Sequence, residues 1–293
     1  MKPVIKSIIK RAANILDLDV RKLMEGISAW SIKRAYTEND LYGLAVRLRE
    51  IVPDISSQED SEKDVFNAYW ELKRRTLQAF QCHMMLKALE HDTAGTFTVV
   101  DIGDSAGTHM LYLRALTRAK FCVDTISVNL DQRCIEKIQA RGLRAVLCRA
   151  EELDLGAKVD LFTSFQMVEH LHNPAIFFRR LAVRSDCERM LITVPYIERS
   201  RVGLHQIRHN TRKPVFAGDE HIFELNPEDW TLLFLHSGWK VKSSQIYYQY
   251  PRRWSIVSAI LSWFWRNTDY EGFWGAILEK DTSLSNFYQD WEE

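Results

Sequence analysis

Thr98-Val99-Val100-Asp101-Ile102-Gly103-Asp104-Ser105-Ala106-Gly107 is the stretch whose reading decides the fold. A β-branched run stops at an acidic residue, two glycines follow, and a helical pattern begins directly after them. Such a run puts the Asp101 carboxylate at the carboxyl end of a strand, where open α/β sheets bind ligands. Gly103 and Gly107 let the chain turn tightly and let backbone approach a ligand, because neither carries a Cβ. Dinucleotide-binding turns read G-x-G-x-x-G. Here Asp101, Gly103, Ser105 and Gly107 fall at every second position, with Ser105 where a middle glycine is expected.

The pattern outward from this turn alternates short β-branched runs with helical stretches, which predicts a parallel sheet with crossover helices. Strands are expected at 97–102, 125–129, 145–148, 159–165, 190–194, 241–248 and 274–278, with helices at 130–140, 174–182 and 227–236. Before residue 95 the periodicity is helical throughout. Ile5 to Leu16, Ala29 to Leu48 and Val65 to Leu89 repeat apolar residues at helical spacing, and Ser56 to Asp64 reads as a polar loop. We therefore expect a helical region over 1–95 and an α/β domain over 96–293, the latter carrying an insertion at 251–272.

Four segments in order resemble the motifs of class I S-adenosylmethionine-dependent methyltransferases. They are the turn at 98–107, Ile126 to Asp131, Arg149-Ala150-Glu151-Glu152-Leu153, and Val159 to Leu171 with its closing Val168-Glu169-His170-Leu171. Met190 to Pro195 and Glu220 to Trp230 resemble the family's fifth strand and a later helix entry, with Asn226 as N-cap and Pro227 at the first helical position. The resemblance spans residues 95–280 and is similar to the methyltransferase-11 type that O-methylates small molecules or saccharides. It implies a Rossmann-like seven-stranded sheet with the last strand, 274–278, antiparallel. It also implies S-adenosylmethionine as cofactor, held by Asp101, Gly103, Asp104, Ser105, Gly107, Asn129, Leu130, Ala150, Glu151 and Gln166. Asn129 stands where the family has the acid that bonds the ribose hydroxyls, and Asn129→Asp is expected to preserve binding. Arg149 replaces the acidic partner of the adenine amino group.

Methyl transfer from a sulfonium asks mainly for positioning, and a general base only where the acceptor is a hydroxyl. His170 is the nearest titratable candidate, with His221 behind it. Arg208 and Arg212, in the basic stretch 199–213, are candidates to clasp an anionic acceptor. His205 and His209 sit at i and i+4, but the set they make with His221 is loose and no metal is expected.

Composition narrows the partners. The 39 basic and 39 acidic side chains balance, so no global field favours nucleic acid, and none is expected as a partner. Five cysteines with no C-x-x-C pair read as reduced thiols in a cytoplasmic protein. No run reaches the roughly 18 apolar residues of a membrane span. Trp254 to Trp265, flanked by Arg252, Arg253 and Arg266, has the anchors of an interfacial helix, compatible with peripheral membrane association, a glycolipid acceptor or a homodimer contact. The expected activity is O-methylation of a small or saccharide-type acceptor. The alternative is a noncatalytic binding or scaffolding protein that keeps the fold, suggested by Ser105, Asn129 and Arg149.

Overall fold

The computed structural model describes residues 19–56, 67–92, 95–210, 214–215, 218, 220–253 and 255–288. The expected helix at 5–16 and most of the expected loop at 56–64 lie outside them. Chain order begins with α1 (Val20–Glu38), α2 (Tyr42–Ile51) and α3 (Ala68–Ala88). Asp19 caps α1 by accepting from the amides of Arg21 and Lys22, and Asn67 caps α3 by accepting from those of Tyr69 and Trp70. These bonds satisfy donors that a helix start leaves open. The pattern from Ala29 to Leu48 is two helices, because the chain breaks at Asp40, whose φ is 56°.

The sheet follows: β1 (Thr96–Ile102), α4 (Thr108–Thr117), β2 (Cys122–Asn129), α5 (Gln132–Ala140), β3 (Arg144–Leu147), β4 (Leu161–Phe165), α6 (Pro174–Arg184) and β5 (Arg189–Tyr196). A small antiparallel pair, β6 (Arg201–Val202) and β7 (Phe223–Glu224), flanks the short α7 (His205–Arg208). The chain then runs through α8 (Pro227–Ser237), β8 (Trp239–Tyr248), α9 (Ser255–Thr268) and β9 (Gly272–Lys280). Seven strands form one sheet in the order β3-β2-β1-β4-β5-β9-β8. β9 runs antiparallel to both its neighbours, as expected of the last strand, and β1 to β5 pair in parallel. Asn226 and Pro227 open α8 as expected, the Asn226 side chain accepting from the Asp229 amide.

Alternation along the strands sends side chains to two cores. Val99 and Leu161 join Ala79, Phe80, Met84 and Tyr112 on one face, and Val100 and Phe162 join Phe177, Phe178, Trp230 and Phe234 on the other. Both faces of the sheet are thus covered, as parallel strands require. Residue 95 is therefore a change of element type and not of core, since α3 packs directly on β5, β9 and α4. Helix α9 docks on α1, where Ile32, Tyr250, Leu261 and Trp265 form a third cluster and the Trp265 indole donates to Ser31 Oγ (3.0 Å). Trp254 lies outside the described residues. No described helix is long and apolar enough to cross a membrane.

Arg75 of α3 ties these layers together. Its buried guanidinium donates to the carbonyls of Val52 (2.8 Å) and Pro53 (3.1 Å) beyond the end of α2 and to the Tyr112 hydroxyl of α4 (2.9 Å). Arg75→Met takes the donor from the carbonyl of buried Val52 and from the buried Tyr112 hydroxyl, and should cost about 3 kcal/mol or more. In urea denaturation the whole protein should unfold earlier in one transition. An unchanged main transition with only a separate early phase would show that the helices before β1 are an independent unit.

Candidate functional site

Asp104 organises the glycine turn. Its buried carboxylate accepts the amides of Ala106 (3.2 Å) and Gly107 (2.8 Å) on one oxygen and the Ser127 hydroxyl (2.7 Å) on the other. The Asp104 carbonyl accepts from Asn129 Nδ2 (2.9 Å), and the Gly103 amide donates to Val128 O (2.8 Å). The turn is thereby fastened to β2 at three points. Gly103 (φ 91°) faces the Met167 side chain, where a Cβ would fall 2.5 Å from Met167 Cγ. Gly107 (φ 74°) faces the other way, and a Cβ there would meet Leu143 Cδ1 at 2.4 Å. Its missing side chain makes room for Leu143 at the entry of α4.

Asp101, Gly103, Asp104 and Ser105 do come together, around a cavity of about 60 Å³ that Thr108, His109 and Phe165 complete. Ligand pockets generally hold about 300–1,000 Å³, so a nucleoside would need this cavity to widen. Asp101 is 1% exposed. One of its oxygens accepts from Thr163 Oγ1 (2.8 Å), and the other has no hydrogen-bond partner and lies 3.8 Å from His109 Nδ1. Burial, then the neighbouring Asp104 charge, raise the Asp101 carboxyl well above its ordinary value against the Thr163 bond. Burial also holds the Asp104 carboxyl up and the His109 imidazole down, to about 4 for His109.

The neutral His109 ring has an assignable tautomer. Gln81 Nε2 donates to Thr193 Oγ1 (3.0 Å), so Gln81 Oε1 accepts from His109 Nε2 (2.8 Å) and the bare Nδ1 faces Asp101. Two carboxylates and a lone pair therefore converge at the floor of the cavity. That arrangement is complementary to a cation. Gln166, at φ 53°, joins the same network through Thr193 Oγ1 (3.2 Å). Sequence periodicity gave no sign of His109 or of Gln81, which arrives from α3.

On the ribose side Asn129 is tied into the turn. Both ends of the Asn129 amide are occupied, Nδ2 by Asp104 O and Oδ1 by the Asp131 amide (2.8 Å). An aspartate at 129 cannot donate to Asp104 and would set a carboxylate against its carbonyl, so it is not equivalent. Leu130 is exposed. Ala150 and Glu151 form a 3₁₀ turn after β3, with Glu151 4.0 Å from Arg149 Nε.

A second cluster lies beyond β4. His170 and His221 stand edge to face with ring centroids 4.6 Å apart. The fixed carbonyl of Glu220 accepts from His170 Nδ1 (2.9 Å). Tyr270 OH accepts from His221 Nδ1 (2.8 Å) and donates to Glu224, which also takes the Arg201 guanidinium. Burial acts to raise the Glu224 carboxyl, but bonds from His221, Arg201 and Tyr270 outweigh it and hold it at about 2. Burial likewise works to lower His221, and the surrounding carboxylates reverse this and raise it. Glu169 is 1% exposed, neither of its oxygens has a hydrogen-bond partner, and burial pushes it up to about 7.

Two sets of described residues offer metal-ligand atoms within 4.8 Å of one another: Glu169, His170 and His221, and Asp101, Asp104 and His109. His205 and His209 belong to neither and stack on each other at 4.0 Å in an exposed position. Arg208 donates through Nε to Gly203 O (2.7 Å) and Val202 O (2.9 Å), closing its own turn, while it lines a cavity of about 290 Å³ with Arg201, His221, Glu224 and Tyr270. Arg212 lies outside the described residues.

No family model matches the sequence, and no curated protein matches it. Solved structures do resemble its fold. The geranyl diphosphate C-methyltransferase of Streptomyces coelicolor A3(2), in complex with Mg²⁺, geranyl diphosphate and S-adenosyl-L-homocysteine, superposes with TM-score 0.52 at 12% identity, covering 78% of this chain and 88% of its own. The O-methyltransferase of a trans-AT PKS multienzyme from Brevibacillus brevis, in complex with S-adenosyl-L-homocysteine, gives 0.51 at 11% identity, covering 74% and 76%. A cyclopropane synthase from Mycobacterium tuberculosis gives 0.50 at 13% identity, covering 75% and 87%. The chain has the class I methyltransferase fold.

The buried acid pair generates a stability prediction. A carboxyl whose native pKa is raised above 3.8 favours the folded state below pH 3.8, and that contribution is lost as pH rises through the native value. Asp101→Asn should therefore stabilise the ligand-free protein at pH 8 by about 1–3 kcal/mol, with the advantage shrinking toward pH 4. Thermal melts across that range check it. A variant less stable than wild type at pH 8 would mean that Asp101 is compensated where it sits.

Proposed function

We propose that this protein is an S-adenosylmethionine-dependent methyltransferase acting on a hydroxyl group of a small, saccharide-type acceptor. The observation that carries the reading is the cation-seeking floor of the glycine-turn cavity, formed by Asp101, Asp104 and the bare Nδ1 of His109. S-adenosylmethionine brings two positive groups, an ammonium and a sulfonium, and fixed carboxylates in a site closed to water bind such charge far more strongly than solvent-exposed ones do. In this reading Met167 swings off Gly103 to admit the cofactor, an adjustment suited to an unbranched, flexible side chain.

Transfer then needs the acceptor oxygen in line with the methyl–sulfur bond. The cavity lined by Arg201, Arg208, His221, Glu224 and Tyr270 is rich in donors and acceptors, which suits a polyhydroxylated acceptor better than an apolar one. Loss of the hydroxyl proton falls to the cluster of Glu169, His170 and His221 at its edge. The oxygen lone pair forms the new bond to carbon, the S–CH₃ bond breaks, and S-adenosylhomocysteine leaves. The outer face of α9, with Ile256, Ile260 and Trp263 at 76%, 62% and 56% exposure, is compatible with an acceptor presented at a lipid surface.

A noncatalytic binding role is favoured by two specific observations, the packing of Met167 on Gly103 and the bonds that tie Asn129 to Asp104 and Asp131. Titration calorimetry with S-adenosylhomocysteine separates the readings. Catalysis requires saturable binding of one molecule per chain, followed by labelled methyl transfer from S-adenosylmethionine to hydroxylated acceptors. Asn129→Asp and Asn129→Ala should both weaken that binding by about 1–2 kcal/mol, since each removes the bond that holds Asp104. No saturable heat at millimolar ligand would leave the scaffolding role.

A further inference from the structure

We propose that Glu169, His170 and His221 hold a divalent transition-metal ion, of the zinc or manganese class, at the edge of the acceptor cavity. The inference rests on the hydroxyl-methylating reading and specifies how the acceptor's proton is removed there. One ligand atom from each residue lies within 4.8 Å of the others. Two ligands about 2.1 Å from a tetrahedral ion stand about 3.4 Å apart, so the set closes on a metal through side-chain adjustments of about 1 Å.

Three independent features point to a cation at this place. The first is Glu169, a carboxylate at 1% exposure with both oxygens lacking a hydrogen-bond partner. Such a group is costly unless a cation or donor meets it. The second is the outer layer around the imidazoles. Metal-ligating histidines present one nitrogen to the ion and fix the other against a carbonyl or carboxylate. Here His170 Nδ1 donates to Glu220 O (2.9 Å), and His221 Nδ1 donates to Tyr270 OH (2.8 Å), which is itself held by Glu224. Each imidazole is thus held through Nδ1 by a fixed second group, as the outer layer of a metal site would hold it.

The third feature is rigidity. The Ile222 amide donates to Glu169 O (2.8 Å), joining the two segments that carry the ligands. The Gly203 amide bonds Ile222 O (3.0 Å), and a Cβ at Gly203 would fall 2.2 Å from His221 O, so only glycine permits this backbone approach. By contrast, both oxygens of Asp104 already accept from Ala106, Gly107 and Ser127, so the acid pair at the glycine turn is not the metal site.

Two imidazoles and one carboxylate suit zinc, manganese or iron better than magnesium or calcium, which prefer all-oxygen sets. Three protein ligands leave a position open for an acceptor hydroxyl, and His221 borders the cavity on that side. A hydroxyl bound to the ion loses its proton to cavity water near neutral pH. The resulting alkoxide takes the methyl group while the ion keeps its charge. The acceptor class this favours is a vicinal diol, whose second oxygen can occupy another position on the ion.

The test is direct metal binding by the full chain, independent of turnover. Protein stripped with chelator is titrated with ZnCl₂ and with MnCl₂ by calorimetry, and loaded with Co²⁺ for its visible spectrum. We expect one ion per chain, a raised melting temperature and a Co²⁺ spectrum of nitrogen–oxygen ligation. Glu169→Gln, His170→Gln and His221→Gln should each weaken binding at least tenfold, whereas His205→Gln and His209→Gln should leave it unchanged. Wild-type protein that takes up neither ion at 100 µM would overturn the proposal, as would binding that survives Glu169→Gln or disappears with His205→Gln. S-adenosylhomocysteine affinity should be the same in stripped and loaded protein. Failure of metal binding with that affinity intact removes the metal site and leaves the methyltransferase reading standing.

Discussion

The rest of the site depends on the buried carboxylate of Asp104. Through it the β1 turn, the start of α4 and strand β2 become one rigid piece, since Ala106, Gly107 and Ser127 all donate to it and Asn129 grips its carbonyl. Burying a carboxylate is expensive, and these donors are what offset the cost. With Asp104 committed to architecture, Asp101 beside it is left with a buried oxygen that has no hydrogen-bond partner. A structure tuned only for stability would place a donor there. A buried acid oxygen without a partner, in a cleft at the carboxyl ends of central strands, marks a candidate ligand site.

The helices before β1 are part of this arrangement. Gln81 reaches from α3 to His109 and Thr193, and so sets which nitrogen of His109 looks at Asp101. Arg75, on the same helix, ties the end of α2 to Tyr112 of α4. Stability and site chemistry therefore pass through one helix, and its register on the sheet matters to both. The site's far edge is assembled the same way, from Glu169 after β4, His221 before β7 and Tyr270 before β9.

Much of the fold was legible in the sequence because strand alternation and caps are local. The run ending at Asp101 and the Asn226-Pro227 helix entry follow from neighbouring residues, whereas the antiparallel last strand follows from the family resemblance. What was not legible depends on contacts between distant segments. The packing of Leu143 against Gly107 and the bonds that tie Asn129 to Asp104 and Asp131 are invisible in the local pattern. The pairing of His221 with His170, rather than with His205 and His209, follows from the β6–β7 pairing, which two-residue strands do not announce. A break at residue 95 is plain in composition, yet the core runs through it, because α3 shares the Val99 and Leu161 face of the sheet.

The central claim is that the partnerless Asp101 oxygen beside the glycine turn binds the cationic cofactor, with Met167 as the movable cover. A crystal structure of the protein grown with S-adenosylmethionine tests this most directly. The account predicts the ammonium within hydrogen-bond distance of Asp101, the sulfonium over Gly103 and Phe165, and the Met167 side chain displaced from Gly103. Saturating cofactor with Met167 still packed on Gly103 and the Asp101 oxygen still without a partner would contradict it.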